Sequence, residues 1–163
     1  MTATSPTNST ASTVAILTML HERLLSYRGP NGATLGNALT GTDGVVRLYQ
    51  VRVPDNTPYP FAVMRMISAR SGEYKGLRVT AQLEIQLYGR PWSEHQRMEA
   101  LADLIDEAML FFVRSNDGLT FSTSSTRVTL PPAPAPMDGE TVAIRLVYNL
   151  AFWPRYLTRI TTH

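Results

Sequence analysis

The sequence predicts an α+β domain, in which two helices pack on one face of an antiparallel or mixed sheet of about five strands. Two stretches repeat apolar residues every three or four positions, as amphipathic helices do, and five others are strand-like, with β-branched residues or apolar–polar alternation. These segments follow one another in the order α-β-β-β-α-β-β, with no internal repeat. The chain has 163 residues, 44% of them hydrophobic, which suits one domain with its own core.

The first helix is predicted over residues 13–27. Before it, residues 1–12 carry no charge and little apolar surface, so we expect a flexible arm. The helix itself has one apolar stripe, formed by Ile16, Leu17, Leu20, Leu24 and Tyr27. Gly29-Pro30 ends it, and residues 29–44, which contain five glycines, are predicted to form a long loop.

Three strands are predicted next, over residues 45–53, 61–68 and 77–88. A proline-rich turn separates the first two, and residues 69–76 form the tip of a hairpin between the last two. The third strand alternates strictly. One face holds Val79, Ala81, Leu83, Ile85 and Leu87, and the other holds Arg78, Thr80, Gln82, Glu84 and Gln86. One face therefore belongs in the core, and the other meets water or a polar partner, where its charges are available for pairing across subunits.

The second helix is predicted from a capping box, Ser93 with Gln96, to about Arg114. Its apolar stripe consists of Leu101, Leu104, Ile105, Ala108 and Phe112, and its remaining surface is acidic. Strands over 120–130 and 141–153 complete a domain that spans residues 13–153. The insert at 131–139 holds four prolines and is predicted to be an extended surface excursion, and residues 154–163 form a C-terminal tail.

Composition narrows the function classes. The chain has no cysteine, and its three histidines show no metal-ligand spacing. Charged residues make up only 17%, against about 25% in an average soluble chain, which indicates surface covered by a partner. The net charge is +2 and the arginines are scattered, whereas nucleic-acid binders cluster basic charge on one face. The N-terminus lacks the pattern of a secretory signal, and no apolar stretch is long enough to span a bilayer.

No catalytic constellation is recognisable in the sequence. The glycine-rich segment leads into a strand, and no Gly-Lys-Ser/Thr follows it, so it does not match a phosphate-binding loop. The serines lack a nucleophile elbow, and His21 and His95 are expected on solvent-facing helix surfaces. We therefore expect no catalytic residue, no cofactor and no metal, and favour a component of an assembly over an enzyme.

The chain resembles the tail terminator, or tail completion, proteins of long-tailed bacteriophages. The resemblance rests on residues 48–63 (LYQVRVPDNTPYPFAV) and on the alternating strand 83–93 (LEIQLYGRPWS) followed by the helix over 97–110, and it covers about residues 13–153. It implies an α+β subunit of a ring, usually a hexamer, that caps the finished tail tube, stops its polymerisation and joins it to the head. The family has no catalytic residues to transfer.

The resemblance also implies partners and a location. The partners are copies of this chain, the major tail tube protein and head-completion or neck proteins; DNA passes through the lumen without sequence-specific binding, and no membrane is involved. The location is the tail–neck junction of the virion. Another neck protein, a head-completion or head–tail joining factor, and a protein-binding adaptor outside phage remain alternatives. Candidate contacts between subunits or with the tube are Arg70, Glu73, Lys75, Arg78, Asp103, Asp106 and Glu107.

Overall fold

A computed structural model describes residues 7–71, 79–90, 95–114, 120–130 and 141–152, and it confirms the α+β class. The elements along the chain are α1 (Thr7–Ser26), α2 (Leu35–Ala38), β1 (Leu48–Gln50), β2 (Phe61–Ser71), β3 (Val79–Gly89), α3 (His95–Arg114), β4 (Thr120–Leu130) and β5 (Val142–Phe152).

The strands form one five-stranded mixed sheet in the order β1-β2-β3-β5-β4. The short strand β1 runs parallel to β2, and every other neighbouring pair is antiparallel. Strand β5 is the last in sequence but lies between β3 and β4, so the centre of the sheet joins segments far apart in the chain. A β-bulge interrupts the β2–β3 register between Met66 and Ser68.

The core lies between the helices and one face of the sheet. Helix α1 packs on β1 and β2, α3 packs on β3, β4 and β5, and the two helices also touch each other. The predicted apolar positions of β3 with described side chains are buried, as are four of the five in the predicted stripe of α1. The buried set includes Ile16, Leu17, Leu20, Leu24, Ala81, Leu83, Ile85, Leu87, Leu101, Ile105, Ala108, Ile144, Leu146 and Leu150.

The glycine-rich segment is more ordered than a long loop. Thr34 caps the single turn α2 by accepting a hydrogen bond from the Asn37 amide (3.1 Å), and Leu35 and Leu39 are buried in the core. Backbone bridges join Arg28 to Thr34 and Thr40 to Val46. The predicted element order lacks α2, because two leucines four residues apart are too few to show a helical period among glycines.

Strand β1 is much shorter than the predicted strand over 45–53. At its start, Asp43 holds the buried guanidinium of Arg47 at 3.2 Å and also accepts a hydrogen bond from the Val45 amide, so the preceding residues form a turn. At its end, Val51 adopts a φ of +67°, which breaks the extended backbone. β-Branched composition predicted the strand, but these two local features confine it to three residues.

The ends of several predicted elements also change. Helix α1 begins at Thr7, so the flexible arm predicted for 1–12 is wrong for residues 7–12, whose backbone is helical. Strand β2 continues to Ser71, so residues 69–71 of the predicted hairpin tip are paired with β3. Helix α3 ends at Arg114 and β4 spans Thr120–Leu130, as predicted. The rest of the tip (72–76), Ser93, the insert 131–139 and the tail 154–163 lie outside the described residues.

Candidate functional site

The face of the sheet opposite the helices, which we call the open face, carries an ion cluster at its centre. Its outward positions include Arg65 on β2, Gln82, Glu84 and Gln86 on β3, and Arg145 on β5. Arg65 donates to one Glu84 oxygen through Nε and NH2, both at 2.7 Å, and Arg145 donates to the other through Nε. One carboxylate is thus held by two guanidiniums from strands on either side.

Glu84 is an almost completely covered charge beneath two half-exposed arginines. Its side chain is 1% exposed, whereas those of Arg65 and Arg145 are 50% and 42% exposed. Burial alone raises the pKa of Glu84, but the hydrogen bonds and charges of Arg145 and Arg65 together outweigh it, so the pKa lies below its ordinary value. The carboxylate stays ionised and neutralises one of two positive charges, which leaves the cluster with a net positive charge facing outward.

Hydrogen bonds within the chain extend this cluster along β3. Gln86 donates to Glu84 at 2.9 Å, the Tyr88 hydroxyl donates to Gln86, and Gln82 donates to Asn149 of β5 at 3.1 Å. The expectation that charges on the polar face of β3 remain available for another subunit is therefore wrong for Glu84, which is paired within its own chain. The outward charge of this face comes from the two arginines.

An aromatic group closes one end of the open face. Phe61 stacks on Tyr88 with ring centroids 5.0 Å apart and contacts Tyr59 at 5.3 Å, and the Arg90 guanidinium lies 5.6 Å from the centroid of the Tyr59 ring. Burial is the main cause that raises the pKa of Tyr88, and Glu84 and Tyr59 add to it, while Arg65 opposes it. These packed rings border the cationic centre.

Exposed apolar side chains lie at the β1 edge of the same sheet. Val51 follows β1 and is 67% exposed, and Ile67, the extra residue of the β2 bulge, is 38% exposed. The Val51 amide donates to the Met64 carbonyl at 2.9 Å, which places Val51 next to Arg65 in the β1–β2 register. Exposed aliphatic groups therefore stand next to a half-exposed arginine.

Helix α3 presents the opposite charge on the other side of the molecule. Its buried residues pack on the sheet, so its exposed residues point away from the sheet. Four of these follow one another at three- and four-residue spacing, and we call them the outer stripe: Gln96, Ala100, Asp103 and Glu107. Arg97 is also exposed and lies beside the stripe. Between His95 and Met109 the helix carries four carboxylates and a single guanidinium. The outer layer of the domain is therefore acidic where the open face is cationic.

The structure separates the roles of the three acidic residues that the sequence proposed as contacts. Asp103 is exposed in the outer stripe. Asp106 is half-buried and accepts a hydrogen bond from the Tyr148 hydroxyl of β5. Glu107 is hydrogen-bonded to Tyr27; burial, and then the charge and hydrogen bond of Glu107, raise the pKa of Tyr27. Two of the three thus help to hold α3 on the fold, and reversing their charges would damage the subunit as well as any contact.

The structure does not bring the other four proposed contact residues together with the acidic residues of α3. Arg70 lies in β2, opposite Thr80 in the register, and Glu73, Lys75 and Arg78 lie outside the described residues. Sequence reasoning missed Arg65 and Arg145 as a pair. Alternation did indicate that Glu84 faces outward, but the pairing with Arg145 follows from the position of β5 beside β3, which no local pattern specifies.

The sequence predicted His21 on a solvent-facing surface of α1, and this prediction is wrong. Its Nε2 lies 2.7 Å from the Leu48 carbonyl oxygen, so the half-buried imidazole joins α1 to the edge strand β1.

Among the described residues, no three histidine or carboxylate side chains converge as metal ligands. None of the helices in the described ranges is long and apolar enough to cross a bilayer.

No protein-family model matches the chain, and no curated protein sequence matches it. The molecule's most distinctive features are two oppositely charged surfaces, the open face of the sheet and the outer stripe of α3.

Proposed function

We propose that this chain is a structural virion protein that forms a ring on the end of a phage tail tube, stops the tube's polymerisation and joins the tail to the head. The resemblance over residues 13–153 suggests this role. The observation that carries it is the placement of two complementary surfaces, one cationic and one acidic, on opposite layers of a single domain.

That placement is compatible with a ring. A subunit with two different complementary patches joins its neighbours head to tail, and such heterologous contacts close into a ring when each step carries the appropriate rotation. Arginine suits these contacts, because its planar guanidinium pairs with carboxylates in a fixed geometry. In this role the chain needs no cofactor and recognises only proteins, namely copies of itself, the major tail tube protein and a head-completion or neck protein.

The passage of DNA imposes a second condition. A ring at the tail–neck junction of the virion must let DNA through its lumen without holding it, and a strongly basic wall would bind phosphate. The chain's net charge of only +2, and the partial neutralisation of Arg65 and Arg145 by Glu84, are compatible with that requirement.

Tail assembly in vitro tests the proposal. Purified full-length protein is added to the polymerising tail tube protein of the same phage, and tube lengths are measured by negative-stain electron microscopy. We expect rings on tube ends and an arrest of growth, whereas a variant that lacks residues 71–75 of the predicted hairpin tip should fold but leave tubes overlong. Continued tube growth in the presence of the intact protein would contradict tail termination. If, in addition, tails made without the protein have normal length but do not join heads, the protein is a head-completion factor instead.

A further inference from the structure

We propose that the open face is the docking surface for helix α3 of a second copy of this chain, with Arg65 and Arg145 receiving the Asp103 carboxylate of the neighbour. This inference rests on the proposed function, since it names the contact that would build the ring.

The guanidiniums have hydrogen-bonding capacity beyond Glu84. Each guanidinium offers about five N–H donors, so the pair has roughly ten, whereas a carboxylate has about four acceptor positions. Glu84 lies beneath the two arginines at 1% exposure, and each arginine keeps nearly half of its side chain accessible. An acceptor that approaches from outside therefore meets two guanidiniums already oriented by a buried carboxylate, and their orientation lowers the entropy lost on contact.

The surroundings of the arginines have the composition of a protein interface. Interface centres combine apolar groups and arginine, and contain few other charges. Here Val51 and Ile67 are exposed beside Arg65. Val51, moreover, is a β-branched residue with a φ of +67°, a strained conformation that is found preferentially at functional sites.

The outer stripe of α3 suits this surface in charge and in shape. Ala100 sits one turn before Asp103 and is small, so a facing surface can approach the helix closely. Helix α3 carries more negative than positive charge, and this net charge complements the positive open face. The stripe and the open face lie on opposite layers, so they cannot meet within one subunit. Each contact therefore joins the stripe of one subunit to the open face of the next.

Cross-linking tests the contact directly, because the chain contains no native cysteine. Two single variants are prepared as full-length protein, Gln82→Cys on the open face and Ala100→Cys on α3. Their subunits are mixed, allowed to assemble together and then treated with a short bismaleimide. We expect mixed 82–100 dimers to dominate, and Thr42→Cys, exposed in the glycine-rich segment, to give none with either variant. Mixed dimers no more abundant than those of the Thr42 control, or dominant 82–82 dimers, would overturn the inference.

A double-mutant cycle tests the charge pair. Arg65→Gln retains an amide donor toward Glu84, and Asp103→Asn removes one charge from the stripe. Each substitution should weaken assembly about tenfold. The double variant should assemble little more weakly than either single variant, because both substitutions remove the same interaction. Arg28→Gln, an exposed arginine outside the open face, is the matched control and should assemble normally. Thermal unfolding of the separated subunits checks that all variants fold.

The failure of this contact is distinguishable from failure of the proposed function. If rings form but neither the cross-link nor the coupling appears, the contact is wrong and the ring stands. If no ring forms, both fall. If Arg65→Gln and Arg145→Gln lower retention on duplex DNA and leave assembly unchanged, the open face is a nucleic-acid surface and the inference is overturned.

Discussion

Replacing Glu84 by glutamine should destabilise the subunit by about 2–3 kcal/mol, because one net hydrogen bond to a charged group contributes about 1.5–3 kcal/mol. The carboxylate is 1% exposed and accepts hydrogen bonds from Arg65, Arg145 and Gln86. An amide keeps one acceptor but turns an NH2 group toward guanidinium donors. The loss falls at or below the lower end of the roughly 3–5 kcal/mol for a fully buried ion pair, because both arginines are about half exposed and regain water.

The pH dependence identifies the charge as the cause. The pKa of Glu84 is lowered in the folded chain, so its contribution is complete above the unfolded pKa of about 4.3 and is lost as pH falls through the folded pKa. The stability difference between the wild type and Glu84→Gln should thus be constant from pH 7 to pH 5 and shrink below about pH 4. Urea unfolding followed by circular dichroism, at two protein concentrations, separates subunit stability from assembly.

Glu22→Gln is the control, since Glu22 is an exposed carboxylate on α1 and its replacement should change stability by less than about 0.5 kcal/mol. A Glu84→Gln variant as stable as the wild type at pH 7 would refute the reasoning. So would a stability difference that persists unchanged at pH 3, because the carboxylate charge would then not be its source.

Three further predictions concern single positions. Val51→Gly should raise subunit stability by about 0.5–1 kcal/mol, because glycine adopts the left-handed backbone of this position without strain, whereas Val45→Gly should lower it by a similar amount. The same change in the free energy of urea unfolding for both variants would contradict this. Gly41→Ala should cost about 1–3 kcal/mol in the same assay, since its Cβ would lie 2.2 Å from the buried guanidinium of Arg47; a neutral result would show that this guanidinium moves freely. The pKa of Tyr27 is raised above 10.0 by burial and by an α3 carboxylate, so its contribution is complete below that pH and is lost as pH rises through the folded pKa. Tyr27→Phe should flatten the fall of the melting temperature in that range, and an unchanged profile would argue against the contact.

The elements set by local patterns could be predicted from the sequence. Strict alternation placed Leu83 and Ile85 in the core and Glu84 on the opposite face, and the three- and four-residue spacing of apolar groups located both long helices. These patterns report which side of an element is buried. They depend only on residues a few positions apart, which is why they survive without knowledge of the fold.

The contacts that define the site depend on distant segments and could not be predicted. Arg145 reaches Glu84 across 61 positions because β5 inserts beside β3, and Asp106 meets Tyr148 across 42. A charge near the surface of an isolated helix or strand looks solvated until its neighbour is known. The sequence therefore predicts an outward contact at Asp106 as well as at Asp103, although Asp106 bonds to Tyr148 within the fold.

Native mass spectrometry of the purified full-length chain tests the central claim most directly. A closed ring requires one defined subunit number, expected to be six, with no ladder of larger species as concentration rises, and image averages with a central opening. A single subunit at every concentration, or an open-ended series of oligomers, would contradict the account.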